Sequence, residues 1–225
     1  MIELQGFGDQ IAVGAITTIR VATTSLVLGI GVGLCGAMAK LSRFRPLRML
    51  ADTYTTIIRG VPELLIILIL YFGGTVALTT AFGRYVEVDA FAAGVFALTI
   101  VFGAYATEVF RGAIRAVSAG QVEAAHALGL SKIQAWRLVI LPQMWRHALP
   151  GIGNLWLTLL KDTALISVVG LEDLMRKAGV AAGATHDPLT FYTVAAGLYL
   201  SFTSVSLVGL TLLERHANRG VRVAD

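Results

Sequence analysis

The sequence predicts an all-α membrane protein: a single transmembrane domain over residues 1–225, with five transmembrane helices. The chain is 56% hydrophobic, has a mean hydropathy of +0.75, and only 14% of its residues are charged. A soluble domain carries nearer a quarter charged residues. Five apolar runs also approach or exceed the ~20 residues that a bilayer-spanning helix needs. They are Ile11–Ala39, Val61–Phe82, Ala90–Phe110, Leu149–Leu171 and Phe191–Leu213.

The first and the fifth spans each carry small residues along one helix face. The stripes are Ser25, Gly29, Gly33 and Gly36 in the first span, and Thr193, Gly197, Ser201 and Ser204 in the fifth. Small faces let membrane helices pack closely where lipid supplies no hydrophobic drive. Packing inside the bundle and contact with another subunit explain these stripes equally well.

The second span places an acid beside a proline, and the third ends on a second acid. Pro62 can kink its helix, and Glu63 next to such a break could attract a cationic substrate. An ion pair between Glu63 and Arg59, four residues apart, is the alternative. Glu108 precedes Arg111 by three residues, a spacing that favours a local ion pair.

The fourth span carries a polar stripe of four residues, Asn154, Thr158, Lys161 and Asp162. Lys161 and Asp162 are predicted at mid-span, ~15 Å from either end at 1.5 Å per residue. Charge at that depth is costly and usually faces protein or water. The stripe is therefore predicted to line a translocation path or to contact a facing subunit, with a buried structural network as the alternative.

The basic residues predict the orientation of the chain, because Lys and Arg concentrate in cytoplasmic segments. Of the 18 basic residues, five lie in segment 40–59, five in segment 111–146 and three in the C-terminal tail, where Arg219 and Arg222 follow Arg215. Three lie on the opposite side. The N-terminus is therefore predicted outside, and the C-terminus and a loop at about 111–147 are predicted in the cytoplasm.

Within that loop the sequence predicts two short helices joined by a turn. Capping boxes are predicted for Ser118 with Gln121 and for Ser131 with Gln134. Gly129 suits the end of the first helix, and Pro142 is expected to end the second. The first helix would present a low surface of Ala124, Ala125 and Leu128 that a partner could approach closely.

The loop resembles a known motif. Glu123-Ala124-Ala125, Gly129 and then Val139-Ile140-Leu141-Pro142 resemble the cytoplasmic loop of permease subunits of ATP-binding-cassette importers, with Val139 in place of Ile. Four further stretches resemble polar amino-acid and opine permeases of the histidine/lysine/arginine/ornithine or octopine/nopaline type. They are YATEVFRGAI (105–114), RGVPELL (59–65), LKDTALISVVGL (160–171) and LLER (212–215).

The resemblance implies the type I importer transmembrane fold, a bacterial inner-membrane location and a coupling helix that docks on an ATPase. The coupling residues would be Glu123, Ala124, Ala125, Leu128 and Gly129; a helical hairpin without a partner is the alternative. Implied partners are two ATPase subunits holding ATP and Mg²⁺, a second permease subunit, an extracytoplasmic solute-binding protein and an amino-acid substrate, with no nucleic acid. The second permease subunit would be a related chain, with a second copy of this one as the alternative.

The sequence predicts a transporter subunit rather than an enzyme. It contains no G-x-x-x-x-G-K-[ST] phosphate-binding loop and no H-E-x-x-H metal motif. The four histidines are scattered, so no metal site, catalytic residue or cofactor is expected in this chain. The substrate-path candidates are Glu63, Asn154, Thr158, Lys161 and Asp162. A nucleotide-independent channel, or a receptor with a cytoplasmic adaptor loop, is the rival function.

Overall fold

The computed structural model describes residues 4–218, and every ordered element in that range is helical. Within the described residues nine α-helices follow one another: α1 Gly8–Leu41, α2 Arg45–Gly60, α3 Glu63–Phe82, α4 Ala90–Ala116, α5 Ala119–Ala127, α6 Lys132–Ala135, α7 Leu141–Asp162, α8 Leu174–Thr185 and α9 Pro188–Ala217. A π-helical segment, Trp136–Ile140, joins α6 to α7, and a 3-10 segment, Thr163–Val169, follows α7.

Five of the helical stretches are long and apolar enough to cross a membrane, which confirms the predicted number of spans. They are Gly8–Leu41, Glu63–Phe82, Ala90–Ala116, Lys132–Val169 and Pro188–Ala217. Arg219 and Arg222, which contributed to the predicted orientation, lie outside the described residues.

Helix α4 forms the centre of the bundle and packs most extensively against α1. The small residues of α1 make this close packing possible. A Cβ at Gly29 would lie 2.5 Å from Phe102, and one at Gly33 would lie 2.6 Å from the Cβ of Ala106. Ser25 donates a hydrogen bond to the backbone oxygen of Val95 at 3.3 Å. The α1 stripe therefore packs inside this chain rather than against another subunit.

The small-residue stripe of α9 has a different environment. Thr193, Gly197, Ser201 and Ser204 are all exposed, and a Cβ at Gly197 would meet nothing within 4 Å. Helix α9 buries only Phe191 and Ala195. Packing inside the chain therefore does not account for this second stripe.

The predicted kink at Pro62 is a full break between α2 and α3. Val61 and Pro62 adopt extended backbone angles, and α3 begins directly after them at Glu63. Proline tolerates this position because the start of a helix does not use its missing N–H. Segment 40–59 was predicted only as a basic cytoplasmic segment, but most of it forms the amphipathic helix α2.

The prediction that Pro142 ends a helix is wrong. The helical path continues from Lys132 to Val169, and Pro142 lies in the first turn of α7. Proline lacks an N–H and its ring crowds the preceding turn. The π-helical segment just before it widens that turn, and Leu141 donates its N–H to Trp136 five residues back. The loop outside the long helices is therefore residues 117–131, narrower than the predicted 111–147.

The prediction of one continuous α-helix through Lys161 and Asp162 is also wrong. Asp162 is the last residue of α7, where the α-helix tightens into the 3-10 segment. The predicted run, Leu149–Leu171, treated the two segments as one helix because both are apolar. The pair therefore lies at the end of α7, directly before the change of helix type.

At the other end of the bundle, α8 is fixed to α1 by buried polar groups. Asp173 is fully buried and caps α8, accepting a hydrogen bond from the Arg176 N–H at 2.9 Å. Thr18 accepts one from the Leu174 N–H at 3.1 Å. Burial raises the pKa of Asp173 to about 6, although hydrogen bonds from the backbone act in the opposite direction.

Candidate functional site

A cavity of about 230 Å³ lies between α3, α4 and α7, and two of the predicted path carboxylates line it. Its lining comprises Glu63, Leu98, Val101, Phe102, Tyr105, Leu155, Thr158, Leu159 and Asp162. Most of these side chains are apolar, with a few polar groups among them. Ligand sites commonly have this composition, in which apolar walls exclude water and the polar groups orient the ligand.

The break at Pro62 positions Glu63 in this cavity. Because Glu63 is the first residue of α3, its carboxylate lies at the positive end of the helix dipole. The Tyr105 hydroxyl of α4 lies 3.3 Å from Glu63 Oε1 and donates a hydrogen bond to it. A side chain of the neighbouring helix α4 thus fixes the carboxylate of Glu63, and Glu63 lines the cavity.

Arg59 contacts an aromatic ring rather than the carboxylate four residues away. Its guanidinium carbon lies 5.4 Å from the centre of the Tyr105 ring. None of the four ion pairs found among residues 4–218 joins Arg59 to Glu63. The alternative of a local Arg59–Glu63 pair is therefore not observed. Cation–π attraction places Arg59 on the aromatic side chain that also binds Glu63.

The polar stripe predicted on the fourth span is divided between two cavities. Asp162 and Thr158 line the first cavity, and the Thr158 hydroxyl also donates to the Asn154 backbone oxygen at 3.2 Å. Lys161 lines a second cavity of about 390 Å³ near α8 and α9, with Tyr192 and Tyr199 among its neighbours. Asn154 is exposed and lines neither cavity.

The loop between α4 and α7 presents most of the predicted coupling residues to solvent. Glu123 and Ala124 are exposed, and Leu128 is 82% exposed. Gly129 has a φ of +78°, which an L-residue rarely adopts, and it ends α5 as predicted. The backbone bonds Gly129 N to His126 O and Leu130 N to Ala125 O form a Schellman motif there.

Two details of this loop differ from the prediction. Ala125 is only 3% exposed, so it faces the second arm of the loop and does not form part of an accessible alanine surface. Ser118 does cap α5 by position, but no side-chain capping bond is present there. The second predicted capping box is formed: Gln134 N donates to Ser131 Oγ, and Ser131 N donates to Gln134 Oε1.

An ion-pair network at the same end of the bundle extends the predicted pair of Glu108 and Arg111. Arg111 Nε donates to Glu108 Oε2 at 2.9 Å, as the spacing predicted. Lys40 at the end of α1 also pairs with Glu108, and with Asp52 of α2 at 3.0 Å. Lys40 is 8% exposed. This network joins α1, α2 and α4 close to the loop, and no local spacing in the sequence indicates it.

Comparisons with known proteins agree with these features. Residues 25–219 match the family described as binding-protein-dependent transport system inner membrane component. The chain is 49% identical to the nopaline transport system permease protein NocQ of Agrobacterium fabrum, over 96% of this chain and 94% of that protein. It is 44% identical to the histidine/lysine/arginine/ornithine transport system permease protein HisQ of Salmonella typhimurium, over 99% of both chains.

A solved structure shares the fold. The crystal structure of an amino acid ABC transporter with histidines contains a chain that superimposes with a TM-score of 0.82 at 35% identity. The superposition covers 92% of this chain and 94% of that one.

Proposed function

The chain belongs to the family of binding-protein-dependent transport system inner membrane components, and from that membership we propose that it is the permease subunit of an ATP-driven amino-acid importer. The predicted type I importer fold is confirmed by the superposition over almost the whole chain. The proposed substrate is a cationic amino acid or an opine. The named relatives transport nopaline and basic amino acids, according to their names.

The observation that carries the substrate proposal is the pair of carboxylates in one small cavity. Glu63 and Asp162 come from different helices, and 99 residues separate them in sequence, yet both line the cavity between α3, α4 and α7. Two acids in a partly apolar site repel each other unless a cation lies between them. A substrate ammonium or guanidinium group would supply that charge. The aromatic ring of Tyr105, which already holds the guanidinium of Arg59, favours the same chemistry.

The other path candidates have complementary roles in this proposal. The Thr158 hydroxyl faces the same cavity and can bind a polar group of the substrate. Lys161, which lines the second cavity, carries the charge that suits a substrate carboxylate. Asn154 is exposed on the same helix and would extend a polar surface along the path. The alternative for these residues remains a structural polar network.

The energy for transport would come from a separate ATPase subunit, since this sequence contains no phosphate-binding loop. ATP and Mg²⁺ would be bound by that subunit. Helix α5 would dock on it through Glu123, Ala124 and Leu128, all exposed, with Gly129 fixing the end of the helix. Ala125 would act differently, because its burial maintains the packing of the loop rather than the contact with the partner.

A second permease subunit would complete the path. The stripe of α9 is exposed, and α7 contacts α9 outside it: Trp156 donates a hydrogen bond to Ser206, which is not part of the stripe, at 2.9 Å. Small and polar side chains at a membrane surface are better suited to another helix or to a water-lined path than to lipid. A related chain is expected there, with a second copy of this one as the alternative, and an extracytoplasmic solute-binding protein would deliver the substrate.

A labelling experiment tests the proposed orientation. In a Cys35→Ser background, Leu128→Cys should be protected from an impermeant thiol reagent applied outside cells, because the loop is predicted in the cytoplasm. Gly183→Cys, at an exposed position of α8, should be labelled. The reverse pattern would contradict the orientation, and labelling in broken cells checks that both cysteines are accessible.

A reconstitution experiment tests the proposed function itself. The tagged chain should copurify with a P-loop ATPase. Vesicles containing that complex and its binding protein should accumulate arginine or lysine only when ATP is supplied on the ATPase side. Uptake of a neutral amino acid such as leucine should be much slower. Flux without nucleotide, and no associated ATPase, would instead support the rival channel or receptor.

A further inference from the structure

The beginning of α2 carries an unneutralised positive charge. Arg43, Arg45 and Arg48 are all exposed. None of them takes part in an ion pair within residues 4–218. The first turn of α2 contains no acid to offset them. The helix dipole adds further positive charge at this end. Lys40 nearby does not need another anion, because Asp52 and Glu108 already neutralise it.

An apolar cleft lies between α1 and α2, and its lining includes Leu47, the residue next to Arg48 in sequence. Its volume is about 520 Å³, and Tyr54 provides the one hydroxyl among its lining side chains. Leu28, Val32 and Cys35 of α1 form one wall, and Leu47 and Leu50 of α2 form the other. A second cleft of about 590 Å³ lies on the other side of α2 and shares Leu50 and Tyr54 with the first.

Helix α2 also has little protein around it. It buries only Ala51 and Thr55, while Leu50 is 72% exposed, and Phe44, Leu47 and Met49 are exposed beside it. A helix with an apolar face and a basic polar face is typical of one that lies at a membrane interface. Its position against α1 and α4 therefore depends on few contacts within the chain.

These features together favour one kind of ligand. A soluble anion would pair with the arginines but would leave the clefts empty, and an apolar helix from a protein would fill a cleft but leave the arginines without counter-charge. We propose that the start of α2 is an anionic phospholipid site, in which Arg43, Arg45 and Arg48 bind the headgroup phosphate and an acyl chain lies in the cleft between α1 and α2. Arginine suits phosphate because its fork of N–H donors matches the phosphate oxygens.

A bound lipid at this place would stabilise the position of α2. The same helix ends at the break that positions Glu63 in the substrate cavity. The lipid site is separate from that cavity, and no residue lines both. The lipid proposal therefore does not depend on which substrate the importer carries.

Native mass spectrometry of the purified membrane complex tests the headgroup contact. The complex is delipidated in detergent and titrated with phosphatidylglycerol or phosphatidylcholine. The wild type should retain phosphatidylglycerol preferentially. Replacing all three arginines, R43Q, R45Q and R48Q, should weaken retention on the order of 100-fold, at about 1 kcal/mol per basic residue near a membrane surface. Arg84→Gln, an exposed arginine remote from α2, is the control and should behave as the wild type.

A second variant tests the cleft without changing any charge. Gly31 lines the cleft, and a Cβ there would meet nothing within 4 Å, so Gly31→Phe should place its ring in the cleft. It should reduce phosphatidylglycerol retention, whereas Gly73→Phe, at another open position, should not. Melting temperatures measured without added lipid check that each variant is folded.

Cys35, the one cysteine of the chain, reports occupancy directly, because it is exposed and lines the cleft. Phosphatidylglycerol should slow its alkylation by N-ethylmaleimide, as located by peptide mass spectrometry, more than phosphatidylcholine does. Equal retention of the two lipids, or unchanged retention in the triple variant, would overturn the proposal. Protection of Cys35 in the lipid-free complex but not in the isolated chain would show that a protein subunit covers the cleft, and would overturn it too.

Discussion

Replacing Gly129 tests the role of the loop because its effect can be worked out from the backbone alone. The residue ends α5 at a φ of +78°, and a Cβ there would meet nothing within 4 Å. A larger side chain at this position therefore causes no clash, and the cost comes from the left-handed conformation. That cost is roughly 1–2 kcal/mol for an ordinary L-residue, highest for a β-branched one and lowest for Asn.

Three variants of the same residue should therefore form a series. Gly129→Asn should be close to the wild type, Gly129→Ala should be intermediate, and Gly129→Val should lose the Schellman motif and misdirect the second arm of the loop. If this loop couples the permease to its ATPase, membrane levels should stay normal in all three. Copurification of the ATPase, or the stimulation of ATP hydrolysis by substrate and binding protein, should decline in that order.

Gly83→Val is the matched control for this series. Gly83 also has a positive φ, +63°, and an equally open Cβ position, but it ends α3 near the start of α4, whereas the proposed coupling loop follows the end of α4. It should carry a similar backbone cost and leave ATPase coupling unchanged. If Gly129→Val couples as well as Gly129→Asn, or if Gly83→Val uncouples equally, the role assigned to the loop is wrong.

Three further predictions concern the scaffold. Gly33→Ala forces a methyl group against Ala106, so it should reduce the stability of the complex by about 1–3 kcal/mol and lower its melting temperature. Gly73→Ala adds a methyl group in open space and should leave the melting temperature unchanged; equal effects of the two variants would contradict the close α1–α4 packing. Lys40→Met should reduce the stability of the complex by at most about 3 kcal/mol, since Arg111 still neutralises Glu108. An unchanged denaturation midpoint would show that the ion pairs of Lys40 contribute nothing to stability. Because the pKa of Asp173 is raised to about 6, its proton is bound more tightly in the folded state, so stability should fall as pH rises from 4 to 7, by about 3 kcal/mol. Asp173→Asn, which keeps the capping oxygen, should flatten that profile, and a wild-type melting temperature independent of pH would refute it.

The sequence was sufficient to predict the membrane spans because their signal is local. Each span is a continuous apolar run, and the number of runs depends on no tertiary contact. The end of α5 at Gly129 and the capping box at Ser131 were predictable for the same reason, since both depend on residues within four positions of each other. The pair of Glu108 and Arg111 likewise depends on helix spacing alone.

Features that depend on chain packing were not predictable in this way. Lys40 reaches Glu108 across 68 residues of sequence, and Tyr105 reaches Glu63 across 42. Ala125 was expected on an accessible face, but composition could not show that the second arm of the loop covers it. Pro142 was expected to end a helix because proline usually does, and the π-helical turn that accommodates it has no signature in a single sequence.

The sequence of α2 contains the pattern of an amphipathic helix, but the basic residues of the segment drew the interpretation to its location instead. Leu47, Leu50, Tyr54 and Ile57 recur every three or four residues, the period of an amphipathic helix. The arginines of the same segment were used instead to predict a cytoplasmic location. Asp162 and Lys161 show the complementary case: they were predicted in one polar stripe, but adjacent residues of a helix do not face each other, and the two line separate cavities.

The most direct test of the central claim compares transport of cationic and neutral amino acids by carboxylate variants. Glu63→Gln and Asp162→Asn, singly and together, should lower arginine or lysine uptake by the reconstituted complex relative to the wild type. The expected electrostatic loss is about 1–4 kcal/mol at a partly wet site. Assembly with the ATPase and basal ATP hydrolysis should be unchanged, and Asp9→Asn, an exposed acid remote from the cavity, should transport as the wild type does. A selectivity for cationic over neutral substrates that falls at least tenfold in the double variant is the predicted result, and wild-type selectivity in that variant would contradict the account.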